Sequence, residues 1–362
     1  MPGKLFVRKV ILLLTWVLLC VSFMRAENVS NRFFSPADHL IRYTGRFDFT
    51  NPRLPRAWAP GVYIEVGFTG PYCEIVLHDE ELYGKFHNYI IVVIDGGEAK
   101  RMKLDGKVNR IKVAENLPGK KHRLLVCKGT EANIGYLEFA GIYCQGLWQL
   151  PAKPVRKIEF VGNSITCGTG SDTSLVRCGQ GEWYDQHNAW MAYGPLTARA
   201  LKSQWHLSSY SGIGLVKSCC DLKMVMPDVF DKVNMRDNVI SWDFRKYQPD
   251  VLTVCLGQND GILDSALFCS RYVSFIQSLR KYYPGATLVC LTSPMADEKL
   301  AASQKKYLTA IVQVLAKSGD RQVYSYFFSK RYHKGCGDHP DLREHQEIAA
   351  ELTGFVRKIK GW

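Results

Sequence analysis

The pattern of apolar residues changes near residue 157 and divides the chain into two parts. Upstream, short runs at 62–68, 73–78 and 89–94 are separated by turns rich in glycine and proline, without helical periodicity. Downstream, compact apolar runs alternate with amphipathic stretches of helical length. Antiparallel strands need only tight turns, whereas parallel strands need crossovers of about a dozen residues or more. The two parts therefore require different kinds of sheet.

These patterns predict two domains. Residues 31–145 are predicted to form a β-sandwich of the jelly-roll type, since they contain only short strands and turns. Residues 146–157, with Pro151 and Pro154, are predicted to form a linker. Residues 158–362 are predicted to form an α/β domain, in which helices flank a parallel sheet.

The second domain has a definite order of predicted elements. Strands are predicted at 158–161, 205–210, 251–256, 287–291 and 323–324. Helices are predicted at 189–201, where Pro195 is expected to kink or restart the helix, and also through Phe275 and Leu279, at 308–315 and at 343–359. In open sheets of this type, ligands bind beyond the carboxyl ends of the strands, so the segments that follow each strand are the ones to search for a site.

Residues 1–26 have the layout of a secretory signal peptide. Lys4, Arg8 and Lys9 precede the nearly uncharged apolar run 10–23, which is too short for a comfortable membrane span. Cleavage after Ala26 would leave an exported protein without a stable span. An uncleaved N-terminal anchor is the alternative.

Composition limits the classes of partner. With 46% hydrophobic and 22% charged residues, the chain resembles an ordinary folded protein. The formal net charge is +13, but the basic residues do not cluster with aromatic residues as they do in nucleic-acid readers. We therefore expect a basic surface, no nucleic-acid partner and a monomer.

Cysteine spacing argues against a metal site. Eleven of the twelve cysteines follow the signal segment, and they form neither CxxC pairs nor a Cys/His ladder. In an exported protein some could be oxidised, and Cys167 with Cys178, or the adjacent Cys219 and Cys220, are the candidate disulfides. We expect most of the others to be small buried hydrophobic residues.

Four polar segments follow predicted strands or precede the last helix, and each supplies one group needed for acyl transfer. They contain Ser164 in 162–166, Gly212 in 210–215, Asn259 in 257–260 and His339 in 335–340. A serine can act as nucleophile if a histidine takes its proton, and backbone or amide N–H groups can stabilise an oxyanion. Each segment alone is also typical of ordinary structure: a helix cap, a glycine turn, an Asx turn or a surface loop.

The order of these four blocks resembles that of the SGNH hydrolases. Segments 164–168, 192–201 and 41–49, together with the His339-Pro340 loop, are similar to carbohydrate esterase family 2. That family joins a jelly-roll domain to an SGNH domain and removes acetyl groups from plant polysaccharides. The resemblance implies that Ser164 is the nucleophile and His339 the base, without a metal or organic cofactor. The oxyanion hole would comprise the N–H groups of Ser164 and Gly212 and the Asn259 side chain.

One position departs from the pattern of the superfamily. Many SGNH enzymes have Asp-x-His, but here Gly337 occupies the aspartate position and the acid, Asp338, is adjacent to His339. Neighbouring side chains in an extended loop tend to project in opposite directions, so we expect that Asp338 does not reach the imidazole. The sequence therefore predicts a Ser–His dyad, with His339 oriented by a backbone carbonyl or another group.

Aromatic side chains near the site are candidates for stacking on a sugar. We predict this role for Trp183 and Tyr184, whereas Trp190 is expected to belong to the core. The predicted substrate is an acetylated polysaccharide or oligosaccharide, and xylan, mannan and related glycans all remain open. The alternatives are a non-catalytic carbohydrate-binding protein, and an esterase acting on other acetylated glycans or on lipids.

Overall fold

The computed structural model describes residues 30–362. The signal-peptide prediction concerns residues that lie outside this range. Within the described range, no helix is both long and apolar enough to cross a membrane.

An antiparallel β-domain forms the first part of the structure. Its nine strands are β1 (Arg32–Phe34), β2 (Arg42–Thr44), β3 (Arg56–Ala57), β4 (Tyr63–Asp79), β5 (Tyr89–Ile94), β6 (Lys100–Lys103), β7 (Val108–Ala114), β8 (Lys121–Lys128) and β9 (Leu137–Trp148). The alternating and β-branched runs noted in the sequence account for the longest of them. The inward side chains of β4, β5, β8 and β9 form the domain core.

Strand β4 organises this domain. The separately predicted runs 62–68 and 73–78 join into one strand of 17 residues. Its first half, Tyr63–Thr69, pairs with β8, and its second half, Cys73–His78, pairs with β7. The pairing of β4 with β9 shifts register between Thr69 and Cys73. A single long strand can therefore serve two sets of neighbours.

The second part contains a five-stranded parallel sheet. Strands β10 (Lys157–Gly162), β11 (Gln204–Ser209), β14 (Val251–Cys255), β15 (Thr287–Leu291) and β16 (Val323–Tyr326) lie in the order β11-β10-β14-β15-β16. A small hairpin of β12 (Lys232–Asn234) and β13 (Val239–Ser241) lies outside this sheet. The first strand, β10, is central enough to pair with both β11 and β14, and this places its carboxyl end between theirs.

Helices cover both faces of the parallel sheet. They are α1 (Ser164–Cys167), α2 (Tyr193–Ala200), α3 (Met226–Val229), α4 (Ser265–Tyr282), α5 (Glu298–Lys317) and α6 (Leu342–Lys360). The apolar faces of α4 and α5 share one core cluster, and those of α2 and α6 share another. The predicted fold class, a parallel sheet flanked by helices and preceded by a β-sandwich domain, is confirmed.

The helix predicted at 189–201 is the main difference within this domain. A short 3-10 turn, Ala189–Met191, is followed at Ala192 by extended backbone, and α2 begins only at Tyr193. Pro195 then lies in the first turn of α2, where a missing backbone N–H costs no helical hydrogen bond.

The two domains share a buried boundary. Tyr63, Ile91 and Cys127 of the β-domain belong to the same apolar cluster as α2 and α6. At another point of the boundary, the guanidinium of Arg46 lies 2.9 Å from a carboxylate oxygen of Glu159 on β10, with both side chains almost completely buried. A charged group is buried in this way only when it is paired, so this contact fixes one domain against the other.

Candidate active site

The nucleophile candidate Ser164 lies at the carboxyl end of β10, an interior strand of the sheet. β10 ends at Gly162, Asn163 caps the next helix by accepting a hydrogen bond from Ile165 N–H (3.2 Å), and Ser164 is the first residue of α1. A Cβ atom at position 162 would lie 2.1 Å from Thr166 Oγ1, so only glycine fits this tight turn. The turn raises the serine at the sheet edge, where 8% of the residue is exposed.

His339 meets Ser164 from the loop before α6. Its Nε2 atom lies 2.8 Å from Ser164 Oγ, although the two residues are 175 positions apart. Its Nδ1 atom lies 3.0 Å from the Gly337 carbonyl oxygen and 3.2 Å from that of Cys336. Because carbonyl oxygens only accept, Nδ1 carries the proton, and the lone pair of Nε2 faces the serine hydroxyl.

The surroundings of His339 favour the neutral imidazole. Burial lowers the pKa of His339, and the two carbonyl contacts and the Asp338 charge oppose this effect without reversing it. Asp338 itself is exposed, and its side chain makes no hydrogen bond within residues 30–362. The imidazole is thus held by main-chain groups and kept in the form that can accept a proton.

The two other predicted oxyanion residues follow the strands that pair with β10 on either side. Gly212 follows β11 and has φ of +80°, a conformation that glycine adopts without strain. Asn259 follows β14, and its Nδ2 donates a hydrogen bond to Ile213 O (2.8 Å), which leaves its second amide hydrogen free to donate elsewhere. Asp260 holds the continuation of this loop, because its carboxylate accepts from the N–H groups of Leu215, Val216 and Lys217.

The disulfide pattern corrects one prediction. Cys178 pairs with Cys336, 158 residues away, and Cys167 is a free buried thiol, so the candidate pair Cys167–Cys178 is wrong. Cys167 is the last residue of α1, and its buried sulfur contacts Ser209 Oγ (3.3 Å) and Glu131 Oε2 (3.7 Å). The other candidate pair, Cys219 and Cys220, is joined. The Cys178–Cys336 bridge attaches the histidine loop to the segment that follows the nucleophile.

The two aromatic candidates for sugar binding have different environments. Trp183 is 46% exposed, and its ring contacts that of His187 edge to face at 4.8 Å between centroids. Tyr184 is completely buried in a small cluster with Tyr89 and Ile134, so the prediction that it stacks on a sugar is wrong. Its hydroxyl accepts a hydrogen bond from the backbone N–H of His87, as expected for a buried tyrosine.

One residue at the site was missed in the sequence. Glu131 belongs to the β-domain, yet its carboxylate accepts hydrogen bonds from the N–H and hydroxyl of Ser211, the residue before Gly212. It lies in a loop after β8, where no strand or helix periodicity marks it. The only available signal was an acidic residue in an otherwise apolar and small-residue stretch, which is too common to be informative.

Two family models match consecutive parts of the chain. The carbohydrate esterase 2 N-terminal model matches residues 43–154, and the GDSL-like lipase/acylhydrolase family model matches residues 160–345. The second match covers the strands and loops that carry Ser164, Gly212, Asn259 and His339.

Curated relatives have names that agree with these matches. The chain is 30% identical to the cellulase/esterase CelE of Acetivibrio thermocellus over 332 residues, which are 89% of this chain. It spans only 40% of the length of CelE. It is 29% identical to an acetylxylan esterase/glucomannan deacetylase of Cellvibrio japonicus, over 76% of this chain and 78% of that protein.

Solved structures extend the likeness to three dimensions. A family two carbohydrate esterase from Clostridium thermocellum, solved in complex with cellohexaose, has a TM-score of 0.81 at 29% identity and covers 89% of this chain and 99% of its own. A family two carbohydrate esterase from Cellvibrio japonicus has a TM-score of 0.83 at 25% identity, covering 92% and 99% of the two chains. The chain therefore belongs to the GDSL-like lipase/acylhydrolase family, and its N-terminal part matches the carbohydrate esterase 2 N-terminal model.

Proposed function

We propose that this protein is an exported serine esterase that removes O-acetyl groups from plant polysaccharides such as xylan or mannan. Relatives named acetylxylan esterase/glucomannan deacetylase support the substrate class. The observation that carries the proposal is the 2.8 Å contact between Ser164 Oγ and His339 Nε2 at the edge of the parallel sheet. Export rests on the signal-like residues 1–26.

The first half-reaction forms an acyl-enzyme. Ser164 Oγ bonds to the acetyl carbonyl carbon while its proton passes to His339 Nε2. The carbonyl oxygen becomes an oxyanion, to which Ser164 N–H, Gly212 N–H and the Asn259 amide donate. A single donor of this kind contributes about 3 kcal/mol of transition-state stabilisation. The bond from carbonyl carbon to sugar oxygen then breaks, and the proton on Nε2 moves to that oxygen.

The second half-reaction releases acetate. Neutral His339 removes a proton from a water molecule as the water oxygen bonds to the acetyl carbon of the serine ester. The second tetrahedral intermediate collapses, the bond to Oγ breaks, and the proton returns from Nε2 to the serine. Throughout, the carbonyl oxygens of Cys336 and Gly337 hold the Nδ1–H and stabilise the imidazolium, in the place where many SGNH enzymes use an aspartate.

We propose that Trp183 contributes a stacking surface for a pyranose ring. Its ring is half exposed and packs edge to face against His187. His187 Nδ1 lies 3.9 Å from Oε1 of Glu131, the carboxylate that accepts from Ser211 beside Gly212. Trp183 is thus connected through these contacts to the residues beside Gly212 and is open to a ligand. Replacing Trp183 with alanine should raise KM for polymeric substrate with little change in kcat for 4-nitrophenyl acetate.

Acetate release from a panel of acetylated polysaccharides tests the proposal. We expect release from acetylated xylan or glucomannan by the wild type, and loss of release in Ser164→Ala. Chain-length series of 4-nitrophenyl esters separate the alternatives, because a lipase would prefer long acyl groups. Binding of the glycan without release of acetate from any substrate would instead establish a non-catalytic binding protein.

A further inference from the structure

Glu131 is a carboxylate of the β-domain that is completely buried at the edge of the hydrolase site. We propose that Glu131 is a positioning residue that sets the geometry of residues 211–217, here called the oxyanion loop, so that the N-terminal domain takes part in catalysis. This inference rests on the proposed esterase function.

The contacts of Glu131 converge on the active-site loop. Its Oε2 atom accepts a hydrogen bond from the backbone N–H of Ser211 (2.7 Å), and its Oε1 accepts from the Ser211 hydroxyl. Ser211 Oγ also lies 3.0 Å from Thr169 Oγ1, in the segment after the nucleophile helix. Cys167 of that helix lies with its sulfur 3.7 Å from Oε2. One carboxylate thus holds both the loop before Gly212 and the segment that begins at Ser164.

The segment that presents Glu131 is itself fixed to the β-domain. Lys128 Nζ, completely buried, donates to the carbonyl oxygens of Thr130 (2.8 Å) and Glu131 (3.1 Å). Thr130 Oγ1 donates to Asn88 Oδ1 (2.6 Å). These hydrogen bonds fix the backbone of Glu131 to the β-domain. Its carboxylate therefore holds Ser211 of the hydrolase domain at a fixed position relative to the β-domain.

The chemistry at this position requires a strong acceptor. Burial raises the pKa of Glu131, whereas the hydrogen bonds from Ser211 and the charge of Lys128 act in the opposite direction. Burying a carboxylate costs desolvation free energy. Hydrogen bonds to donors that would otherwise be buried without a partner offset this cost. The groups that Glu131 satisfies here belong to the residue next to a proposed oxyanion donor.

The oxyanion loop is consequently anchored at two points. Glu131 holds its start at Ser211, and Asp260 of the hydrolase domain holds the backbone N–H groups at 215–217. Gly212 lies between the two anchors. Because glycine has no side chain, Gly212 restrains its own φ little, and the direction of its N–H depends on both anchors.

Two substitutions of Glu131 form a graded test. Glu131→Leu removes every acceptor, and we expect kcat for acetate release to fall on the order of 100-fold with KM nearly unchanged, because the misplaced donor acts only in the transition state. Glu131→Gln keeps one acceptor and should lose only about tenfold. Adding Ser211→Ala to Glu131→Gln should cause less loss than the two single effects combined, since they act through one contact.

The matched control is Glu138→Gln. Glu138 is another buried carboxylate of the β-domain, and its partners, Arg56 and His78, belong to the same domain and lie outside the segment that presents Glu131. This variant should lower the melting temperature as Glu131→Gln does while kcat stays at the wild-type value. Equal losses of kcat in the two variants would overturn the inference and leave Glu131 a purely structural residue.

Hydrogen exchange separates this inference from the proposed function. In full-length protein, amides of the peptide 208–216 should exchange on the order of tenfold faster in Glu131→Gln than in Glu138→Gln. This readout applies even if the wild type proves inactive as an esterase, and in that case only the proposed function fails. Unchanged exchange in this peptide contradicts the positioning role directly, and Glu131→Gln supplies the answer if Glu131→Leu does not fold.

Discussion

At the scale of single residues, His339 is oriented by two carbonyl oxygens of its own loop. A carbonyl fixes the tautomer as a carboxylate does, but it carries only a partial charge and stabilises the imidazolium less. Burial then keeps the imidazole neutral, which suits a base. We accordingly expect that the enzyme works with Ser164 and His339 and without a third side chain.

The first prediction at this scale concerns Asp338. Because its side chain is exposed and has no hydrogen bond in the described part of the chain, Asp338→Asn should leave kcat/KM within about threefold of the wild type. His339→Ala, measured in parallel, should lose at least about 1000-fold. A loss of several orders of magnitude in folded Asp338→Asn would refute the dyad.

The second prediction concerns pH. Activity requires neutral His339, and burial lowers its pKa, so kcat/KM should stay constant as pH falls past the ordinary histidine value of about 6.5 and decline only below it. A pH profile of 4-nitrophenyl acetate hydrolysis, corrected for stability at each pH, measures this limb. A decline centred above pH 6.5 would mean that the pKa of His339 is raised, which contradicts the account.

At the scale of elements, the histidine loop is held by more than its own hydrogen bonds. Cys336 is bridged to Cys178, and its backbone N–H donates to Gly170 O (2.8 Å). Both contacts join the loop before α6 to the segment after the nucleophile helix. The relative position of His339 and Ser164 therefore depends on a connection between two loops that are far apart in the chain.

Removal of this bridge should lower stability and activity together. Cross-links that close long loops typically contribute about 2–5 kcal/mol, so Cys178→Ser should lower the free energy of unfolding by about this amount and also reduce kcat. Cys336→Ser and the double variant should behave alike, because each removes the same bond. Denaturant unfolding and kcat measured on all three check this, and a double variant that loses twice as much as either single one would contradict it.

Some of the elements could be predicted from the sequence and others could not. The strands at 158–161, 251–256 and 287–291 were predictable because continuous apolar runs bounded by turn residues have few other readings. The joining of 62–68 and 73–78 into β4 was not, since the intervening Gly70-Pro71 resembles a turn and continuity depends on partners elsewhere in the sheet. The pairing of Cys178 with Cys336 likewise depends on tertiary proximity and leaves no local pattern.

At the scale of the whole molecule, the two domains are joined through a buried interface. Arg46 donates to Glu159 and to the Lys232 carbonyl oxygen (2.9 Å), and Glu131 reaches the oxyanion loop across the same boundary. The four-block order predicts Ser164, Gly212, Asn259 and His339 as site residues but not these contacts, because a residue that acts across a domain boundary has no fixed spacing from the site it serves. Tyr184 was misjudged for a related reason, since its burial is produced by residues of the other domain.

The Arg46–Glu159 pair gives a prediction at this scale. Arg46→Ala leaves the Glu159 carboxylate buried without its cation, and the free energy of unfolding should fall by about 3–5 kcal/mol. Adding Glu159→Gln should restore part of the loss by removing the unpaired charge. Denaturant unfolding of the three proteins measures the effect. A double variant less stable than Arg46→Ala would show that the pair is not what couples the domains.

The central claim is that Ser164 carries the acyl group, and trapping the intermediate tests it most directly. Rapidly quenched reactions with 4-nitrophenyl acetate should yield, after proteolysis and mass spectrometry, a peptide acetylated at Ser164. The acetyl group should accumulate further when His339→Ala slows deacylation relative to any residual acylation, and it should be absent in Ser164→Ala. Acetylation of another residue at the same rate, or full turnover by Ser164→Ala, would contradict the account.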